Sequence, residues 1–221
     1  PLICRLIPIL AMTKIKAIVF DLGKVIFDLS YEQVIAYWAE KANKDYQELL
    51  DGFVYNDIFE QYERGELSDA AFRDAVRTFY HLPITDEEFD AGWNNIYLDI
   101  FDGINNLLRE LSAQYHVVAL SNTNHIHKLV WEVRYADTLQ YFEKIFASHE
   151  MGCRKPEPHC FHMVLDYLNL APEAIVFVDD HPANIETANR IGLHTVLVTS
   201  FPQMQHDLMK ILNKQENTIV E

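Results

Sequence analysis

Acidic and amide residues stand where apolar runs stop. Asp21 follows Ile18-Val19-Phe20, Ser121-Asn122-Thr123-Asn124 follows Val117 to Leu120, and Asp179-Asp180 closes the run Ala174 to Val178. Lys155 lies between the last two, in Gly152-Cys153-Arg154-Lys155-Pro156. In an open α/β sheet, ligands bind at the carboxyl ends of the strands, so these groups could converge. Three carboxylates placed together repel one another unless a cation sits among them, and a hard dication with oxygen ligands, Mg²⁺, is the natural neutraliser. Ser121, the backbone N–H groups of Asn122 and Thr123, and Lys155 could hold the oxygens of a phosphate.

The elements that must position these residues alternate. Ile18 to Phe20 is a short β-branched and aromatic run, suited to a strand covered on both faces. From about Tyr31 to Ile100 apolar residues fall instead at helical spacing, as in Val34, Ile35, Trp38 and Ala39. Ser68 reads as a helix cap, and Thr85-Asp86-Glu87-Glu88 as a capping box. From Gly103 the alternation resumes: helix Ile104 to Gln114, strand His116 to Leu120, helix Asn124 to Val133, strand Lys144 to Ser148, helix Pro158 to Leu168, strand Ala174 to Val178, a helix from Pro182 stopped at Gly192, and strand His194 to Val198. Strands alternating with helices imply right-handed crossovers and a parallel sheet. The expected fold class is α/β: a Rossmann-like parallel sheet core, 12–30 and 101–221, with a small inserted helical cap of roughly four helices at 31–100. Residues 1–11 are read as an N-terminal extension ahead of Met12.

At 221 residues and 49% hydrophobic content the chain can bury a sizeable core. A formal net charge of −15 argues against nucleic-acid binding, since no excess of Lys and Arg exists to neutralise phosphates. The apolar start is too short to span a bilayer, so no membrane role is expected. Three scattered cysteines fit a reducing, cytoplasmic setting, and no CxxC pair suggests zinc. His125, His127, His149, His159, His162 and His181 likewise lack zinc-site context.

Four segments in order, Asp21-Leu22-Gly23-Lys24-Val25, Leu120-Ser121-Asn122-Thr123, Arg154-Lys155-Pro156 and Val178-Asp179-Asp180, resemble the motifs of the haloacid dehalogenase-like hydrolase superfamily, which is mostly phosphatases. The opening Phe20 to Ile26, the segment Gln61 to Asp69 and Leu120 to Asn124 are similar to those of bacterial α-D-glucose-1-phosphate phosphatases. The resemblance implies that Asp21 is a nucleophile forming an aspartyl-phosphate. It implies a Mg²⁺ site built from Asp21, the Gly23 carbonyl and the Asp179/Asp180 pair, with Asp180 preferred. Ser121 and Asn122 would bond the transferring phosphoryl group, and Lys155 would neutralise its charge. Any one segment alone also reads as ordinary capping: Asp21 in a turn, Ser121 to Thr123 before a helix, Asp179-Asp180 ahead of Pro182.

One departure stands out. The superfamily's phosphatases mostly carry a second Asp two residues after the nucleophile as general acid and base, and this chain has Gly23. Protonation of the leaving group must then come from Glu63, placed in the cap with the substrate, from Asp28, or from water. The expectation is a Mg²⁺-dependent phosphomonoesterase acting on a small phosphorylated metabolite, above all a sugar 1-phosphate, as a monomer or weak homodimer. Its rivals are a dehalogenase using Asp21 on carbon, which has no use for the acid pair, and a catalytically idle binding or regulatory protein.

Overall fold

The computed structural model describes residues 13–216; the expected extension at 1–11 lies outside them. Five parallel strands form the central sheet, β1 (Ala17–Phe20), β4 (His116–Ser121), β5 (Lys144–Ala147), β6 (Ile175–Asp179) and β7 (His194–Leu197), in the order β5-β4-β1-β6-β7. Between β1 and β4 come β2 (Phe27–Leu29), helices α1 (Tyr31–Ala42), α2 (Tyr46–Asp51), α3 (Asp57–Glu63), α4 (Asp69–Tyr80) and α5 (Asp86–Asn94), strand β3 (Tyr97–Ile100) and helix α6 (Ile104–Ser112). After β4 the helices are α7 (His125–Arg134), α8 (Ala136–Leu139), α9 (Ser148–Met151), α10 (Pro158–Leu168), α11 (Pro182–Ile191) and α12 (Phe201–Glu216).

Why β1 is central follows from its composition. Ile18 and Phe20 belong to one apolar cluster with Val117, Ala119, Val176 and Val178, while Ala17 and Val19 belong to a second with Val118, Leu120, Ile175 and Phe177. Alternate residues thus bury opposite faces, as the two-residue period of a strand requires. A strand apolar on both sides must be covered on both sides, which is the position of a middle strand in a parallel sheet.

The expected helices begin where their caps place them. The hydroxyl of Ser68 accepts from Ala71 N–H at 3.3 Å. Thr85 and Glu88 exchange reciprocal bonds of 2.9 and 3.2 Å, a complete capping box. Gly192 ends α11 with φ at 101°, and Pro182 opens it. Three features depart from the expectation. The 31–100 stretch holds five helices rather than about four, and it ends in β3, which pairs antiparallel with β2 in a two-stranded ribbon. α12 is new, and its Met204, Leu208 and Leu212 are buried at a helical interval. The helix expected from Asn124 starts one residue later, because Asn124 is its cap: its side chain accepts from His127 N–H at 3.0 Å.

Aromatic residues hold the helical segment together. Trp38 stacks on Phe89 at 4.9 Å and donates its indole N–H to the Phe89 carbonyl at 3.1 Å; Phe72 stacks on Tyr62 at 4.0 Å. The same apolar cluster runs on into β1, β4 and β6, so segment and sheet share one core. Gly92 in α5 is required for this packing, since a Cβ there would lie 2.4 Å from Trp38 Cδ1 and Nε1.

Gly92→Ala therefore sets two effects against each other. Alanine gains about 1 kcal/mol of helix propensity, but overpacking costs about 1–3 kcal/mol. We expect net destabilisation of about 1–2 kcal/mol, read as a lower urea midpoint at unchanged m value. A variant more stable than the parent would show that Trp38 is free to move aside.

Candidate active site

The sheet register brings the expected residues to one edge. Phe20 lies level with Ala119 on one side and Val178 on the other, and Asp21 N–H donates to the Val178 carbonyl at 2.8 Å. Asp21, Ser121 and Asp179 accordingly stand at neighbouring strand ends. One carboxylate oxygen from each of Asp21, Asp179 and Asp180 falls within 4.8 Å of the others.

Lys155 is 1% exposed and reaches into this group from the loop between α9 and α10. Its Nζ donates to Asp21 Oδ1 at 2.8 Å and to Asp179 Oδ2 at 2.6 Å. Desolvation by itself would lower the lysine pKa, but the ionised Asp179 and Asp21 outweigh it and hold Lys155 above its ordinary value. Removing one member of such a buried pair costs about 3–5 kcal/mol, because the other charge is stranded. Asp179 is satisfied throughout: Oδ1 accepts from His181 N–H at 2.8 Å and Asn184 Nδ2 at 2.9 Å, and Oδ2 from Lys155.

Burial pushes Asp21 up to about 7 against the pull of Lys155, with Asp179 and Asp180 adding repulsion. Asp180 is also raised, by burial first and then by Asp179. Three carboxylates against one ammonium leave two net negative charges at this edge. An all-oxygen set with that excess fits a hard dication such as Mg²⁺. Asp21 and Asp180 have the oxygens to offer it; those of Asp179 are already taken.

Two sequence expectations need correction in detail. The Thr123 N–H donates to Ser148 Oγ at 2.9 Å, so it is not directed at a phosphate. The Asn122 side chain is spent on Lys155, accepting from its N–H at 2.8 Å and donating to its carbonyl at 2.9 Å. It clamps the lysine backbone. Of the Ser121 to Thr123 groups, this leaves the Ser121 hydroxyl and the Asn122 backbone N–H to meet an anion. His181 caps α11 through its ring, and its backbone N–H holds Asp179, but its side chain is not part of the carboxylate group Asp21, Asp179 and Asp180.

Beside Ser121 and Gly23 a partly open cavity lies against the helical segment, walled by Leu29, Tyr55, Trp93, Ile96 and Tyr97, with Glu63 as its acid. Glu63 ends α3 and is 7% exposed; it accepts from Arg154 Nε–H at 2.6 Å, and Tyr55 also bonds it. Burial raises its pKa, with Arg154 opposing. Arg154 also meets Glu60 at 3.2 Å, and Arg64 pairs with Glu157 at 2.7 Å, so α3 is fastened to the loop that carries Lys155. Tyr62 donates to Asp69 at 2.6 Å and accepts from Ile126 N–H at 3.3 Å, fastening α3 to the start of α7 as well. His127 lies in the wall, stacked on Trp93 at 4.4 Å. Desolvation drops its pKa to about 3, so it is neutral: Nε2–H donates to the Trp93 carbonyl and Nδ1 accepts from Asn124. Asp28 is elsewhere. It is paired with Lys24 at 2.7 Å, its pKa is lowered by that bond, and it lines a separate cleft of about 320 Å³ with Asp180 and Ser200. That removes it as a proton donor to the cavity beside Ser121.

Leu29 packs against the position of the missing second acid. A Cβ at position 23 would lie 2.6 Å from Leu29 Cδ1, so the leucine occupies the space a side chain there would need. Leu29, Ile96 and Tyr97 read as core by type, and His127, weighed in the sequence only as a zinc ligand, packs in the wall instead. Of the cap aromatics, expected from the sequence to be mostly packing with one or two facing the site, Phe59 and Tyr62 are buried, Phe79 is exposed, and Tyr55 and Trp93 line the cavity.

Comparison with known proteins agrees with this geometry. The D-ribitol-5-phosphate phosphatase of Bacteroides thetaiotaomicron is 27% identical over 205 residues, covering 90% of this chain and 99% of the relative. A sesquiterpene phosphatase of Aspergillus oryzae is 28% identical over 185 residues, 82% of this chain and 88% of the relative. A crystal structure of a haloacid dehalogenase family enzyme from B. thetaiotaomicron, in complex with magnesium and inorganic phosphate, superposes with a TM-score of 0.72 at 33% identity, covering 83% of this chain and 93% of that one. None of the three is named for glucose 1-phosphate. The haloacid dehalogenase-like hydrolase family profile matches residues 15–192, and the chain belongs to that family.

Proposed function

We propose that this hydrolase is a Mg²⁺-dependent phosphomonoesterase acting on a small phosphorylated metabolite. The observation that carries the reading is the buried Lys155 ammonium bridging Asp21 and Asp179, with Asp180 beside them. Two relatives named as phosphatases and a similar enzyme holding magnesium and phosphate support it.

In this reading Asp21 attacks phosphorus, the P–O bond to the leaving group breaks, and an aspartyl-phosphate forms; water then cleaves it to inorganic phosphate and restores the carboxylate. Mg²⁺ bound by Asp21, the Gly23 carbonyl and Asp180 would supply charge neutralisation to the phosphoryl oxygens. Lys155 meets the developing charge from the other side, and Ser121 and the Asn122 backbone hold the remaining oxygens. Asp179 is a positioning residue that fixes the lysine. The 31–100 segment acts as a cap over the site. A sugar 1-phosphate suits a core without the second Asp, because its hemiacetal oxygen leaves with little help. Glu63 at the cavity wall, its pKa raised, gives more basic leaving groups a proton donor. A metal-free dehalogenation would leave the Asp180 carboxylate idle, which disfavours that rival.

Asp21→Asn should lower phosphate release by about a thousandfold or more, with the circular dichroism spectrum unchanged. Substantial residual turnover in a pure preparation would remove Asp21 as nucleophile.

Chelation should abolish activity, Mg²⁺ should restore it, and Ca²⁺ should inhibit, since it prefers more ligands and looser geometry. Asp180→Ala should raise the Mg²⁺ concentration needed for half-activity by about 10–100-fold, whereas full activity in excess chelator would point to carbon chemistry.

The raised Asp21 pKa has a thermodynamic counterpart in chelated protein. A carboxyl that titrates near 7 when folded and 3.8 when unfolded binds more protons in the folded state between those values. Stability from this group is therefore complete below about pH 4 and lost as pH rises toward 7. Relative to Asp21→Asn, the metal-free chain should lose unfolding free energy across that window and recover it when Mg²⁺ is added. A pH-independent difference would contradict the burial that raises Asp21.

A further inference from the structure

Three sulfurs meet beside the loop that carries Lys155. The Cys153 thiol donates to the Met163 thioether at 3.8 Å and is in hydrogen-bond contact with the Cys160 thiol. Cys160 and Met163 stand three residues apart on α10, so they share one helix face. Both cysteines are free and buried, and Met163 is half-buried at the edge of the same apolar cluster. A buried cysteine by itself packs as a small apolar side chain. Two thiols and a thioether in contact are also a soft donor set, of the kind that selects Cu(I). The spacing fits. A three-coordinate ion with metal–sulfur bonds of about 2.3 Å spreads its sulfurs about 4 Å apart, close to the 3.8 Å between Cys153 and Met163. Zn²⁺ needs a fourth donor, and among the described residues neither cysteine belongs to a cluster of three His, Cys, Asp or Glu side chains. Charge fits as well. Two thiolates around Cu(I) carry one net negative charge, and Lys155 lies near enough to pull the Cys160 thiol down. Burial outweighs that pull and keeps both thiols protonated in the metal-free protein.

We propose that Cys153, Cys160 and Met163 form a three-sulfur site for a soft monovalent cation, Cu(I), separate from the carboxylate group of Asp21, Asp179 and Asp180. Binding forms three metal–sulfur bonds and releases the two thiol protons to solvent, with no change of oxidation state. Cys160 then gives up its hydrogen bond to the Glu157 carbonyl at 3.0 Å. The site brackets Lys155, which lies between Cys153 and Cys160 in the chain. An occupied site therefore joins the two ends of the segment that positions the lysine.

The test titrates Cu(I) into reduced, Mg²⁺-loaded protein under anaerobic conditions, in competition with a coloured Cu(I) chelator. Cys4→Ser serves as the background, since it removes the remaining thiol of the chain. This protein should withdraw one Cu(I) per chain from the chelator, release about two protons, and show three sulfur neighbours around copper by X-ray absorption. Cys153→Ser should abolish the uptake. Met163→Leu, close in volume and therefore tolerated by the core, should weaken binding by about tenfold or more and leave two sulfur neighbours. The methionine variant answers the question by itself if Cys153→Ser folds poorly. No uptake of Cu(I), uptake undiminished by Met163→Leu, or nitrogen and oxygen neighbours in place of sulfur would overturn the proposal.

Discussion

A single ammonium group, buried between two carboxylates at the end of a parallel sheet, governs the arrangement of everything near it. Lys155 cannot be hydrated where it lies, so its charge must be met by Asp21 and Asp179. Asp179 is held in turn by Asn184 and the His181 N–H, and Asn122 grips the lysine backbone at both polar ends. These contacts draw β1, β4, β6, α11 and the 152–157 loop to one point. The group most exposed to change is Asp21, which shares the lysine and gains little else. A carboxylate poorly compensated in the resting protein is better matched to a bound phosphoryl group and dication than to the empty site.

The helical segment is bound to this arrangement through packing and charge together. Its aromatic core is continuous with one face of the sheet, so the residues that stabilise it also build the cavity wall. Trp93 stacks on Trp38 within that core and also lines the cavity. Arg154, adjacent in sequence to Lys155, pairs with Glu60 and Glu63 on α3. A displacement of α3 would thus be felt at the loop that carries the lysine.

How much of this could be read from the sequence depended on whether the signal was local. β1 announced itself through a run apolar on both faces, and the capping box at Thr85 and Glu88 through a fixed spacing. The converging Asp21, Ser121, Lys155 and Asp179-Asp180 followed from strand ends in a parallel sheet. β3 was hidden because Tyr97–Ile100 is short and gains its partner only from β2, far back in the chain. α12 carries a legible four-residue period in Met204, Leu208 and Leu212. The cavity had no local signature at all. Leu29, Trp93, Ile96 and His127 lie far apart in the chain, and nothing in their spacing shows that they share one wall. Nor does residue type reveal that the Asn122 amide turns to Lys155, or that Ser148 takes the Thr123 N–H; those bonds exist only once α9 docks.

The contact between Gly23 and Leu29 makes these two positions interdependent. A Cβ at 23 would lie 2.6 Å from Leu29 Cδ1, so a side chain there requires the tip of the leucine to swing aside. Leu29 is only partly buried, which leaves it room to do so. An acid at 23 therefore asks for a new leucine rotamer, whereas shrinking residue 29 opens space without supplying a proton donor.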